Sequence, residues 1–261
     1  MRIIDCHCHI YPNKIAGKAV KAIGDFYHLK MNMDGTPEML LEEGKKAGVT
    51  NFLVHSVATT PHQVKCVNEF VANEVMLHPE FTGFGTLHPQ SPDIYSDIEH
   101  LIALGLKGVK LHPDIQGFKI DDPGYLKIYE AIEGKLPICF HTGDKRYDFS
   151  NPNRVKPLLK NFPKLTVIAA HFGGYTLWEE ASKELAGFEN LYVDCSSSLF
   201  ALTPDSARSI IMRYGTYRVL FGTDYPMWTP EGELERFYKL KLTEEERERI
   251  LFKNAEELLK I

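Results

Sequence analysis

Eight short runs dense in β-branched and aromatic residues recur along the chain, at 3–8, 51–57, 81–87, 106–112, 137–143, 166–173, 191–197 and 218–224. Their starts lie 48, 30, 25, 31, 29, 25 and 27 residues apart. That interval fits one strand, one helix and two loops, repeated. The runs are nearly continuous in apolar residues rather than alternating, the pattern of parallel strands covered on both faces. Amphipathic segments fill the gaps. One spans 36–47, with Thr36 as N-cap and Pro37 at the first helical position. Others read at 61–77, 92–104, 125–132, 155–162 and 204–214, and the last, 243–260, opens with the capping box Thr243/Glu246. Eight strand–helix units in 261 residues predict an α/β fold: a single-domain (β/α)8 TIM barrel over 1–261.

The first gap is the longest. Residues 10–35 hold Tyr11, Phe26, Tyr27 and His28 with weak helical character, and a loop of that length after a strand is usually a lid or a substrate wall. The stretch after Asp224, with Tyr225, Trp228 and a short helix near 231–238, is a second candidate wall. The net charge of −5 argues against a dedicated nucleic-acid surface. No apolar stretch reaches the roughly 20 residues that span a bilayer, so no membrane partner is expected. Five cysteines form no CxxC pair, and no signal-peptide pattern precedes the first strand. A reducing cytoplasm is the expected home.

Histidines and an aspartate sit at the ends of these runs. His7 and His9 close the first, His141 follows Pro-Ile-Cys-Phe, His171 follows Val-Ile-Ala-Ala, and Asp224 follows Val-Leu-Phe-Gly-Thr. Side chains alternate along a strand, so His7 and His9 point the same way and can grip one ion. In a barrel, sites form where strands end, and closure makes the first and eighth strands neighbours. Asp224 then lies beside His7 and His9. Singly, each signal is weak: Asp224 before Tyr225-Pro226 is also a turn pattern. Together, His7, His9, His141, His171 and Asp224 predict a divalent metal site. Imidazole and carboxylate donors suit Zn²⁺, with Mn²⁺, Fe²⁺ or Co²⁺ as alternatives. Such an ion lowers the pKa of a bound water from about 16 to about 7. Asp224 can bind the ion and take a proton, and His171 is placed to polarise a substrate oxygen or pass a proton.

The motifs carry a likeness. Ile4-Asp5-Cys6-His7-Cys8-His9, Gly108-Val109-Lys110-Leu111-His112-Pro113, Phe140-His141-Thr142-Gly143, Ala170-His171-Phe172-Gly173-Gly174 and Phe221-Gly222-Thr223-Asp224-Tyr225-Pro226 together resemble the amidohydrolase superfamily, in particular its amidohydrolase 2 branch. The segment 250–255 looks like that branch's last helix. The resemblance implies a TIM barrel and a divalent metal, usually zinc, with His7, His9, His141 and Asp224 as ligands and His171 as acid/base or polarising residue. It implies hydrolysis of lactones, esters or amides, with non-oxidative decarboxylation or hydration on the same metal site as alternatives. TatD-type nucleases share the opening His-x-His but carry an acid on the fourth strand, where this chain has Lys110 and His112.

The leading expectation is a metal-dependent hydrolase of a small carbonyl substrate, with a non-oxidative decarboxylase second and a catalytically idle metal-binding protein last. Lys110 reads either as a carbamylated bridge between two metals or as a free ammonium for a substrate carboxylate; one ion with free Lys110 is the expectation. His112, Arg146, Tyr225 and Trp228 are further candidates for substrate contact. His55 and Asp194 read as hydrogen-bonding supports of the same rim, and Asp5 as an anchor of the barrel interior. Such barrels often form homodimers.

Overall fold

The computed structural model describes residues 2–261. Nine parallel strands run in chain order: β1 (Ile4–His9), β2 (Asn51–His55), β3 (Phe81–Gly83), β4 (Gly85–Thr86), β5 (Val109–Leu111), β6 (Ile138–Phe140), β7 (Val167–Ala169), β8 (Leu191–Asp194) and β9 (Val219–Leu220). The ladders follow the order β1-β2-β3 and β4-β5-β6-β7-β8-β9. The run 81–87, expected as one strand, divides at Phe84. Its two sides serve different neighbours: Phe84 N–H donates to the Val54 carbonyl at 3.0 Å, while Gly85 N–H donates to the Gly108 carbonyl at 2.9 Å. The circle closes between first and last strands. Cys6 N–H donates to Phe221 O (2.9 Å), His9 N–H to Tyr225 O (2.8 Å) and Asp224 N–H to His7 O (2.8 Å). The architecture is the single-domain TIM barrel that the spacing predicted.

Among the described residues, twelve α-helical segments surround it: α1 (Asn13–Tyr27), α2 (Pro37–Ala47), α3 (Val64–Leu77), α4 (Ile94–Ala103), α5 (Pro113–Gln116), α6 (Leu126–Ile132), α7 (Pro152–Asn161), α8 (Trp178–Leu185), α9 (Pro204–Tyr214), α10 (Pro230–Tyr238), α11 (Glu244–Glu248) and α12 (Asn254–Leu259). Local chemistry sets many boundaries. Thr36, Asp93, Thr203, Thr229 and Thr243 each accept the backbone N–H of the residue three positions on, in the helix they open. Two expectations change. The 10–35 segment is not a loop but is dominated by the 15-residue helix α1. The final helix is interrupted by a π-turn at Arg249–Lys253. The π-turn has a purpose: the Ile250 carbonyl accepts the Phe221 N–H at 3.0 Å, and Asn254 Nδ2 donates to the Thr216 and Val219 carbonyls, both at 2.7 Å. This helix is thereby bolted to the last strand. Helices α5 and α8 lie outside the segments expected to be helical.

Asp5 ties the barrel interior together. It accepts from Thr223 N (2.9 Å), Thr223 Oγ1 (2.6 Å) and His7 N (3.2 Å). These bonds join β1 to the segment that delivers Asp224. No helix among the described residues is long and apolar enough to cross a membrane.

Candidate metal centre and active site

His7, His9 and Asp224 converge. His7 Nε2 lies 3.3 Å from His9 Nε2, and Asp224 Oδ1 lies 3.4 Å from the first and 3.5 Å from the second. The ladder between β1 and β2 shifts register between Asp5 and Cys8, a bulge in the segment that carries His7. Asp224 reaches the cluster from a left-handed backbone, φ 61°. That conformation is uncommon outside glycine and is held here by its N–H bond to the His7 carbonyl.

Two of the three donors, His7 and Asp224, are aimed by a partner behind them. His7 Nδ1 faces Asp194 Oδ2 at 2.9 Å. A carboxylate only accepts, so Nδ1 carries the proton and Nε2 keeps its lone pair toward the cluster. The other Asp194 oxygen accepts from His171 N (3.0 Å), Ser196 N (3.1 Å) and Ser196 Oγ (2.5 Å). Asp224 Oδ2 accepts from the Ser197 hydroxyl at 2.5 Å, leaving Oδ1 to the imidazoles.

His141 and His171 form an adjoining pair. His171 Nε2 and His141 Nδ1 are 3.0 Å apart, and the His171 ring stacks on His7 with centroids 5.1 Å apart. His141 therefore lies outside the His7–His9–Asp224 triangle, one imidazole away. It stacks flat on His112 (4.0 Å, 5°) and faces Asp114 Oδ2 at 3.4 Å. The Tyr27 hydroxyl, at the end of α1, lies 2.9 Å from His112 Nε2 and 3.4 Å from the His141 ring nitrogens. Tyr27 and Asp114 carry no strand-end signature, and only the docking of α1 over the barrel mouth reveals Tyr27.

The other expected contacts divide. Lys110 is fully buried, with Nζ 2.9 Å from His7 Nε2 and 3.6 Å from Cys139 Sγ. Tyr225 is also fully buried, its hydroxyl spent on the Thr36 carbonyl at 2.9 Å. It is a wedge beneath the site and not a lining residue. Arg146 clamps the Asp144 carboxylate and the Phe26 carbonyl, and Trp228 donates to Ser197 Oγ at 2.9 Å. Among these candidates His112 lines the cavity, whereas Lys110, Arg146, Tyr225 and Trp228 do not. His55, expected as a hydrogen-bonded support, makes no such bond. Both ring nitrogens are buried and unpartnered, and its ring meets His7 and His9 edge-on at 5.0 and 4.4 Å.

Burial governs the charges. Desolvation holds His7, His9, His55, His112 and His141 well below the usual 6.5, so their rings are neutral donors. His171 falls to about 4 for the same reason, against the pull of Asp194. Burial pushes Asp224 up to about 6 and Asp114 up to about 7.

The triangle opens onto a cavity of about 610 Å³. His9, His112, His141 and Asp224 line it, together with apolar side chains of α1 and α3.

The barrel gathers histidines and an aspartate at its strand ends. The Amidohydrolase family model (Amidohydro_2) matches residues 4–261, and the chain belongs to that family. Decarboxylase orsB of Emericella nidulans is 31% identical over 121 residues, which cover 38% of this chain and 36% of that protein. The match thus spans about a third of that relative's length. Among solved structures, an uncharacterized TIM-barrel protein, Bb4693, of Bordetella bronchiseptica aligns with a TM-score of 0.80 at 21% identity, over 100% of this chain and 99% of that one. A 2,6-dihydroxybenzoate decarboxylase complexed with 2,6-dihydroxybenzoate aligns with a TM-score of 0.74 at 17% identity, over 100% of both chains. At such identities the structural likeness speaks for the fold alone.

Proposed function

We propose that the chain is a divalent-metal-dependent enzyme that removes a carboxyl group, without redox chemistry, from an acid seated at His7, His9 and Asp224. The residues fit an ion. Around a tetrahedral centre with bonds of about 2.0–2.1 Å, donors stand about 3.3–3.4 Å apart; the three donors here stand 3.3, 3.4 and 3.5 Å apart. The unpartnered nitrogens of His55 border the same donors. Two imidazoles and a carboxylate suit Zn²⁺ first, then Mn²⁺, Fe²⁺ or Co²⁺, and one such cluster calls for one ion. When bound, the ion supplies positive charge that orients and polarises the acid's oxygens.

The observation that carries the reading is the place of Asp224: a buried carboxyl among the donors, on a cavity whose other walls are mostly apolar. Apolar walls strip water from a substrate carboxylate, whose localised charge disperses as carbon dioxide leaves. The carbon–carbon bond breaks, and its electron pair stays on a hydroxyaryl or unsaturated carbon. Asp224 delivers a proton to that carbon and is recharged from water. His171, bonded to His141 and Ser196, holds the imidazole row in register. The match to a decarboxylase supports this reading. A second reading is hydrolysis of a lactone, ester or amide; Tyr27 and His112, hydrogen-bonded at the cavity floor, favour it because they can protonate a leaving group. The test is carbon dioxide release from hydroxybenzoate-type acids, set beside acid release from an ester, lactone and amide panel, with and without a chelator. Chelator-sensitive carbon dioxide release that Asp224→Asn abolishes is expected. Metal-dependent hydrolysis with no carbon dioxide from any acid would replace the first reading by the second.

A further inference from the structure

We propose that the substrate of this site carries a long, uncharged apolar body, an alkyl or alkyl-aryl chain, lying between α1 and α3. The inference rests on the reading of His7, His9 and Asp224 as the reacting centre and adds what is attached to the reacting group. Helix α1 has two apolar faces. Ala16, Val20 and Gly24 are buried, Val20 toward Gly35 and Gly24 toward Leu29 and Met31. Ile15, Ala19, Ala22 and Phe26, at helical spacing on another face, line the cavity. Helix α3 does the same: Val64, Asn68 and Val71 are buried against the sheet, while Cys66, Val67 and Phe70 line the cavity. Ile15 is 50% exposed. A helix that turns a second apolar stripe away from its core contacts leaves that stripe for another occupant.

The cavity's continuity names the occupant. Both stripes and the donors His9 and Asp224 bound one space of about 610 Å³, in the middle of the range of about 300–1,000 Å³ that holds drug-sized ligands. A single-ring acid at the floor would leave the space between the helices unfilled. Charge narrows the choice further. Apart from the floor's imidazoles and Asp224, the charged lining residue is Lys18, which is solvent-exposed. Arg146 is spent on Asp144 and the Phe26 carbonyl, and lies over the Phe26 and Tyr27 rings outside the lining. Lys18 stands at the solvent rim, so the enclosed space between the helices offers no charged partner to a second carboxylate, and the body that fills it is neutral.

The test uses Zn²⁺-loaded full-length protein and straight-chain hydroxamic acids from acetyl to octanoyl, titrated calorimetrically. Each added methylene should tighten binding about fourfold, the factor that burial of one such group confers. Ala22→Glu, at an exposed helix position, should cancel that gain and leave acetohydroxamate affinity unchanged. N-ethylmaleimide labelling of Cys66, the exposed cysteine among four buried ones, should slow at least tenfold with octanohydroxamate and not with acetohydroxamate. Affinity independent of chain length, with zinc-dependent acetohydroxamate binding intact, would overturn the apolar-body proposal and spare the reacting centre. Failure of the protein to bind Zn²⁺ itself would overturn the reading beneath it.

Discussion

Replacing Asp194 by asparagine tests the logic of the site with one atom. Four donors converge on this carboxylate: His7 Nδ1 on Oδ2 at 2.9 Å, and His171 N, Ser196 N and Ser196 Oγ on Oδ1 at 3.0, 3.1 and 2.5 Å. An amide has one accepting oxygen. Two backbone N–H groups and a hydroxyl hold that oxygen in the Oδ1 position, so the amide nitrogen falls against His7. The nitrogen donates, and His7 Nδ1 must then accept. The ring proton moves to Nε2, where it points at His9 and Asp224 and removes one of the three converging lone pairs. Loss of such an orienting partner weakens metal binding about 10–100-fold, or about 1.4–2.7 kcal/mol. The metal-free protein should lose a comparable amount, about 1.5–3 kcal/mol, because a buried acceptor of charge-assisted bonds is gone. Competition with a chromophoric chelator gives the first quantity and urea unfolding of the apo-protein the second. Zinc affinity within twofold of the parent, in a variant whose stability has fallen as expected, would refute the claim that Asp194 sets the His7 tautomer.

Two further outcomes follow from packing and charge away from the donors. Glu233 is fully buried with Oε2 unpartnered, and burial raises its carboxyl to about 7 from 4.5, against Arg236. Its contribution is full below pH 4.5 and is lost as pH rises through about 7, a fall of about 3 kcal/mol at most. Glu233→Gln should match the parent near pH 5 and exceed it at pH 8 in urea unfolding, and a pH-independent difference would contradict the sign. Gly143, after β6, has φ 83°, and a Cβ there would stand 2.3 Å from Tyr175 N. Gly143→Ala should cost at least about 3 kcal/mol in thermal unfolding, from left-handed strain plus overlap; a loss below about 1 kcal/mol would mean that the Gly143–Tyr175 contact relaxes freely.

What one chain of letters settled was periodic. Strand spacing announced the barrel, because parallel strands buried on both faces must be continuously apolar and each needs a helix to return the chain. Strand-end placement announced His7 and His9, because alternation turns both to one face, and closure brought Asp224 beside them. Local rules also fixed helix starts at Thr36 and Thr243, since capping is decided within three residues. Tertiary packing decided the rest. Helix α1 spans 13–27 with one apolar stripe buried and another lining the cavity, and only the packed chain shows which stripe faces which. Tyr225 and Trp228 neighbour Asp224 in the chain, yet one is swallowed by the core and the other turns to Ser197. The hydrogen bonds that orient a ring come from strands far apart in sequence, as Asp194 does for His7. His141 sits against His171, Asp114 and His112 and not inside the triangle, because ring direction depends on those partners and strand position alone does not fix it.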